Sequence, residues 1–257
     1  MSSTETVLAT TTIDKYGIIL TVDTNNINRI YRVEDYNNPP ITYTVIVKGN
    51  LGYTSDSQVK IIANYESKDN IKIYISAPDT VIKVLNIMDV KYIQTGDNPL
   101  LDNDDNIKDA SMLDIQVNAL LKMPEITSLG FGSLSTGIVQ YAYQLFNVRG
   151  SATSYSPVSN AIHLTDSDTA QGSKNYMGNN KNVNSGKSVN VRINLSSIPE
   201  GLFDNIRLIR VHYDDFSSTP TISVCQENSL SNTSSYFNFT DAGGVINTLT
   251  IEEFNRI

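Results

Sequence analysis

The chain has 257 residues, 40% of them apolar, a formal net charge of −8 and one cysteine. That length and apolar share are enough for one large or two ordinary domains with a buried core. The single Cys225 excludes an intramolecular disulfide scaffold, and an acidic chain without a block of Lys and Arg lacks the positive field on which nucleic-acid affinity mostly rests.

Ile, Val, Leu and Tyr dominate the apolar positions and Trp is absent, while Asn, Ser and Thr fill the intervals, a mixture that favours strands over helices. The amino-terminal "MSSTETVLATTTIDKYGIIL" has neither the basic start nor the continuous apolar stretch of a secretory signal. No apolar run reaches the ~18 residues of a membrane-spanning helix, so no membrane insertion is expected.

Residues 1–96 read as a β-rich region of repeated hairpins. "NINRIYRVEDYNNPPITYTVIV" (26–47) and "DNIKIYISAPDTVIKVLNI" (69–87) share Asn-Ile, a basic residue, Ile-Tyr, a polar turn with proline and a second apolar run. Aligning Tyr31 with Tyr74 gives a period of 43 residues, and each copy follows another strand-like stretch, 16–22 and 58–67. Residues 97–110, "DNPLLDNDDNIKDA", open an acidic linker and short connector that runs to 122. A calcium loop starting at Asp102 is excluded, because Ile107 stands where the turn needs glycine and Leu113 where it needs a bidentate Glu. "LDIQVNALLKMPEI" from Leu113 is a brief helix or a strand, and Pro124 with Glu125 marks the boundary that follows.

Residues 123–240 read as a β-sandwich. Val139, Tyr141, Tyr143 and Leu145 alternate with Gln140, Ala142 and Gln144, the pattern of a sheet wet on one face, and Val189, Val191, Ile193 and Leu195 repeat it. "NIRLIRVHY" (205–213) breaks the alternation, which predicts a bulge or a strand covered on both faces. Residues 165–187 are almost free of apolar side chains and read as a mobile loop. Its closing "KNVNSGKS" is not a phosphate-binding loop, since Lys181 falls where the first glycine is required. Cys225 reads as a half-buried residue of a last strand. Residues 241–257 form a tail leading into a further segment, and Thr250 with Glu253 has the spacing of a capping box that starts a helix.

The order of proline at the entry, alternating strands, a Gly turn, Ser-Pro and a late "IPEGLFDNIRLIRV" is that of an immunoglobulin or fibronectin type III-like sandwich, with Phe203 at the corner where such modules often place a tyrosine. Taken together with the upstream "NYESKDNIKIYISAPDTVIKVLNI" and the closing "FTDAGG" and "LTIEEFN", the chain from about Asn26 to its end resembles the tail stabilisation, or muzzle, proteins of crAss-like bacteriophages. The resemblance rests on Tyr31 and Tyr74 in the hairpins and on Tyr141, Tyr143, Gly150, Thr153, Ser156 and Pro157 in the later strands. It departs from the family at the first hairpin turn, where "YNNPP" puts Pro40 in place of an arginine.

That resemblance implies an all-β, non-enzymatic structural component of a phage tail, a fragment or shortened relative of the family. Implied partners are other tail proteins and further copies in a ring. The implied location is the virion tail, with host cytoplasm during assembly. An acidic surface would let DNA slide past without sticking. The competing reading is a bacterial surface or fibre module that contacts carbohydrate or protein through loops such as 165–187.

No cofactor is expected, and the residues offer no catalytic or metal-binding pattern. Two histidines, His163 and His212, read as core or rim residues, and no G-x-S-x-G or H-E-x-x-H occurs. Asp214 and Asp215 are neighbours on a strand and point to opposite faces, which makes a poor carboxylate pair.

Overall fold

The computed structural model describes residues 4–36, 40–78, 80–93, 97–117, 119–147, 150–165, 181, 183–198, 200–215, 219–230 and 235–255. Nearly all regular structure is antiparallel β. The chain divides into two compact units, one of Met1–Asn118 with Asn147–Ala152 and Pro199–Leu202, the other of Ala119–Phe146, Thr153–Ile198 and Phe203–Ile257.

Unit 1 contains β1 (Thr6–Ile13), β2 (Tyr16–Val22), β3 (Asn28–Glu34) and β4 (Thr42–Gly49) in one four-stranded meander. A second, three-stranded meander holds β5 (Lys60–Ser67), β6 (Asn70–Ser76) and β7 (Lys83–Asn86). The period of 43 residues reappears as register: Ile19 faces Tyr31 across β2 and β3, and Ile62 faces Tyr74 across β5 and β6. Ile30 and its counterpart Ile73 are both fully buried. The ion pair Asp23–Arg29 at 3.0 Å has its counterpart in Glu66–Lys72, also at 3.0 Å.

The two copies differ in what covers the opposite face. In the first, Glu5 lies beside β2 with its side chain only 4% exposed and accepts hydrogen bonds from Thr21 Oγ1 at 3.0 Å and Tyr31 Oη at 2.8 Å. In the second, Glu66 alone takes Lys72, Asn64 and Asn70, while Ile62 is 66% exposed. Two buried asparagines satisfy backbone at strand ends and in the adjoining loops. Asn28 accepts from Leu51 N at 2.9 Å and donates to Tyr53 O at 3.0 Å. Asn86 accepts from Ile71 N and Met88 N, each at 3.1 Å, and donates to Asp69 O at 3.0 Å.

The acidic stretch is packed into unit 1, which corrects the reading of it as a solvated linker. Leu100, Leu101, Ile107, Met112 and Leu113 are buried. The acids close turns: Asp102 Oδ1 accepts from Asp104 N and Asn106 N, each at 2.9 Å, and these bonds, led by that from Asn106, hold its carboxyl below the usual range. A short 3₁₀ turn, Ala110–Leu113, and β8 (Gln116–Val117) follow. This segment also lies along open strand edges. Ile107 N donates to Lys48 O on β4 at 2.7 Å, and Ile115 N donates to Ile82 O, just before β7, at 2.8 Å. Lys83 Nζ binds Asp114 at 2.7 Å, and the two residues form a β-bridge. Leu residues inside an acidic run, spaced by Asn and Asp turns, are the signal that composition alone hides.

Unit 2 contains β9 (Glu125–Phe131), β10 (Gly137–Phe146), β12 (Ile162–Leu164), β13 (Lys187–Asn194), β14 (Asn205–Tyr213), β15 (Thr221–Ser229), β16 (Tyr236–Asp241), β17 (Asn247–Leu249) and helix α1 (Ile251–Asn255); the two-residue β11 (Ala152–Thr153) lies where the units meet in sequence. One sheet runs β17-β15-β14-β10, with β12 on the other side of β10, and a second runs β16-β13-β9. Val139, Tyr141, Tyr143 and Leu145 are fully buried on one face of β10, and Val189, Val191 and Ile193 are buried on β13. Each fully buried aliphatic side chain contributes about 1.5–3 kcal/mol.

The expectation that β10 is wet on its other face does not hold. Ala142 packs there with Ile209, Val211, Ile222 and Val224, and Tyr155, Tyr213, Leu249 and Phe254 cover the cluster. Both explanations for the irregular β14 pattern apply, because its register with β15 shifts between Leu208 and Ile209 and both its faces are buried. The tail is likewise part of unit 2. Glu253 N donates to Thr250 Oγ1 at 3.1 Å and Thr250 N to Glu253 Oε2 at 2.7 Å, a reciprocal capping box that starts α1, and Phe254 stacks on Tyr155 at 5.0 Å. Of the stretch read as a mobile loop, residues 166–180 and 182 lie outside the described residues.

Gly49 tests the packing of the acidic segment. Its φ is +149°, and a Cβ there would lie 2.6 Å from Ile107 Cγ2 and 3.1 Å from Ile107 N. Gly49→Ala should therefore cost about 1–3 kcal/mol through backbone strain and displacement of Ile107. Urea unfolding would measure the loss, and faster hydrogen exchange at the Ile107 amide would locate it.

Candidate functional site

The most concentrated chemistry among the described residues is a buried polar cluster inside unit 2. Tyr141 on β10 and Arg210 on β14 face each other directly across adjacent strands, and Asp241 closes β16 in the other sheet. Arg210 Nη1 donates to both Asp241 oxygens at 2.8 Å, Tyr141 Oη donates to Oδ2 at 2.9 Å, and Gly243 N donates to Oδ1 at 3.0 Å. The Asp241 side chain is 1% exposed. A carboxylate removed from water this completely is tolerable only because each oxygen is met by donors and one of them is a cation. Burial, then the Asp241 charge, pushes the Tyr141 phenol far above its ordinary value.

This cluster joins the two sheets by charge and hydrogen bonds. It is a bracing element. Beside it a cleft of about 70 Å³ is lined by Ser133, Leu134, Ser135, Arg210, His212 and Gly243. The groups at its wall are already engaged: His212 Nε2 lies 3.1 Å from Thr136 O, His212 Nδ1 lies 3.3 Å from Asp214, and Ser133 Oγ donates to Ala242 O at 2.7 Å. Asp214 and Asp215 have separate partners, His212 and Lys181. Among the described residues no three His, Cys, Asp or Glu side chains are grouped to hold a metal ion.

Cys225 also lies near the cluster. Burial, then the Asp241 charge, raises the thiol of this half-buried residue above the usual range, and its Sγ donates to Leu208 O at 3.3 Å.

A second arrangement lies along the edge of β10. Thr153, Ser156 and Ser159, three residues apart, are all buried. Their hydroxyls accept from every second amide of the strand: Leu145 N to Thr153 at 3.1 Å, Tyr143 N to Ser156 at 3.0 Å, and Tyr141 N to Ser159 at 3.0 Å. In return Ser156 N donates to Tyr143 O at 2.9 Å and Ser159 N to Tyr141 O at 2.7 Å. Three residues of the extended segment therefore span two of the strand, and hydroxyl oxygens serve where backbone carbonyls would fall out of step. Gln140 and Gln144 add side-chain bonds to Ser159 O and Thr153 O.

The residues singled out from the sequence fall into three places. Tyr31 and Tyr74 are in unit 1, Tyr31 bonded to Glu5 and Tyr74 half-buried on β6. Tyr141, Tyr143, Ser156 and Pro157 come together along β10, where Ser156 Oγ donates to the carbonyl of the exposed Pro157 at 3.0 Å. Gly150 closes a turn onto Asn147 O, and Phe203 is buried just ahead of β14. Arg210, Asp241 and Ser159 escaped sequence reasoning. The signal for Ser159 was present, since Thr153, Ser156 and Ser159 repeat every third residue opposite a period-two strand.

Three consequences can be measured. Asp241→Ala strands a buried guanidinium and should cost about 3–5 kcal/mol, whereas the double change Arg210→Met with Asp241→Leu should cost less, because no charge is then left unpaired and only the Tyr141 hydroxyl and the Gly243 N–H lose their acceptor. Urea unfolding of both variants would separate these outcomes. Ser159→Ala leaves the buried Tyr141 N–H without its acceptor and should cost about 1–3 kcal/mol, with faster exchange at that amide.

Tyr31 is pushed up to about 12 by burial and then by Glu5. Because this folded value lies above the unfolded value of 10.0, the fold favours the neutral phenol. Its contribution is complete below pH 10 and is lost as pH rises towards 12. Urea midpoints taken across that window should fall for the natural chain and fall less for Tyr31→Phe.

Comparison with known proteins places this architecture. The Crassvirus muzzle protein family matches residues 1–257. The muzzle protein of Bacteroides phage crAss001 is 22% identical over 213 residues, which cover 82% of this chain and 13% of that protein, so the match spans a small part of the relative's length. The family match extends over the first 25 residues as well, ahead of the hairpin repeats from which the resemblance was read. With an all-β architecture and a match along its whole length, the chain belongs to the Crassvirus muzzle protein family.

Proposed function

We propose that this chain is a non-enzymatic structural part of a bacteriophage tail, built into the virion with other tail proteins. The observation that carries the reading is the match to the muzzle family along all 257 residues. The chemistry of unit 2 supports it: the buried Asp241 carboxylate is consumed by Arg210, Tyr141 and Gly243, and His212 by Thr136 and Asp214. Such groups brace a fold. The family match weighs against the alternative of a bacterial surface or fibre module.

The finer picture rests on the same footing. Copies would assemble in a ring around the tail by repeating one heterologous interface, after folding in the host cytoplasm. An acidic surface would repel passing DNA and leave it mobile. Unit 2 would be a fibronectin type III-like module, a reading supported by its two antiparallel sheets and the Gly, Thr and Ser-Pro sequence beside β10.

Mass spectrometry of gradient-purified particles, paired with immunogold labelling, tests the proposal. Peptides from this chain should copurify with capsid and portal proteins, and the label should sit at the tail end. Recovery only from the host envelope, with none in particles, would overturn it.

A further inference from the structure

We draw no further inference here: the strongest candidate, the outer edge of strand β9 with the exposed side chains of Leu129 and Phe131, is an apolar surface unpaired among the described residues, and nothing in the structure shows what covers it.

Discussion

The governing constraint in this chain is the backbone hydrogen bonding of sheet edges. Several small sheets have more edges per residue than one large sheet, and each edge presents a row of donors and acceptors that invites pairing with another chain. The segments that look least regular answer this demand. Ile107 bonds to the end of β4, Asp114 and Ile115 lie along the start of β7, and Thr153, Ser156 and Ser159 cover β10. A strand would have served, but only with matched register and room for a turn. Extended segments with hydroxyl or carboxylate side chains do the same work with looser register and shorter connections.

The buried polar side chains follow from the same constraint, one level deeper. Asn28 presents an acceptor and a donor to the loop after β4, and Asn86 does the same for the start of β6 and the turn before it, so backbone near strand ends is not left with stranded N–H groups. Asp241 does this between sheets. Apolar residues alone would hold β10, β14 and β16 together, but they would tolerate small slips in how the sheets meet. A carboxylate that needs Arg210, Tyr141 and Gly243 together is satisfied in one arrangement, so the cluster contributes alignment as much as stability.

Which parts of this were legible in the sequence depended on whether a signal was local. Alternation exposed β10 and β13, because one buried face imposes period two whatever lies opposite. The capping box at Thr250 and Glu253 needs only four residues and was readable for that reason. The hairpin pairing of Ile19 with Tyr31 and of Ile62 with Tyr74 was visible as a repeat, since both copies obey the same local register. Misreadings came where distant segments decided. Nothing near Gln144 announces that Phe254 and Tyr155 cover that side of the sheet, and the acids around Leu100 and Ile107 masked five buried side chains. Asp241 ends β16 just ahead of a Gly-rich turn that reads as surface; its partner Arg210 is 31 residues away and Tyr141 is 100.

The two sequence copies meet the same demand in different ways. In the first copy Glu5, just ahead of β1, holds Thr21, Arg29 and Tyr31; in the second, Glu66 holds Asn64, Lys72 and Asn70 from within the hairpin itself. Both solutions pair a cation with carboxylate, Arg29 with Glu5 and Asp23, and Lys72 with the more exposed Glu66. Here the same chemistry is closed on itself in both units, in the Asp241 cluster as in the Glu5 cluster. Polar side chains paired in this way stiffen the fold around them.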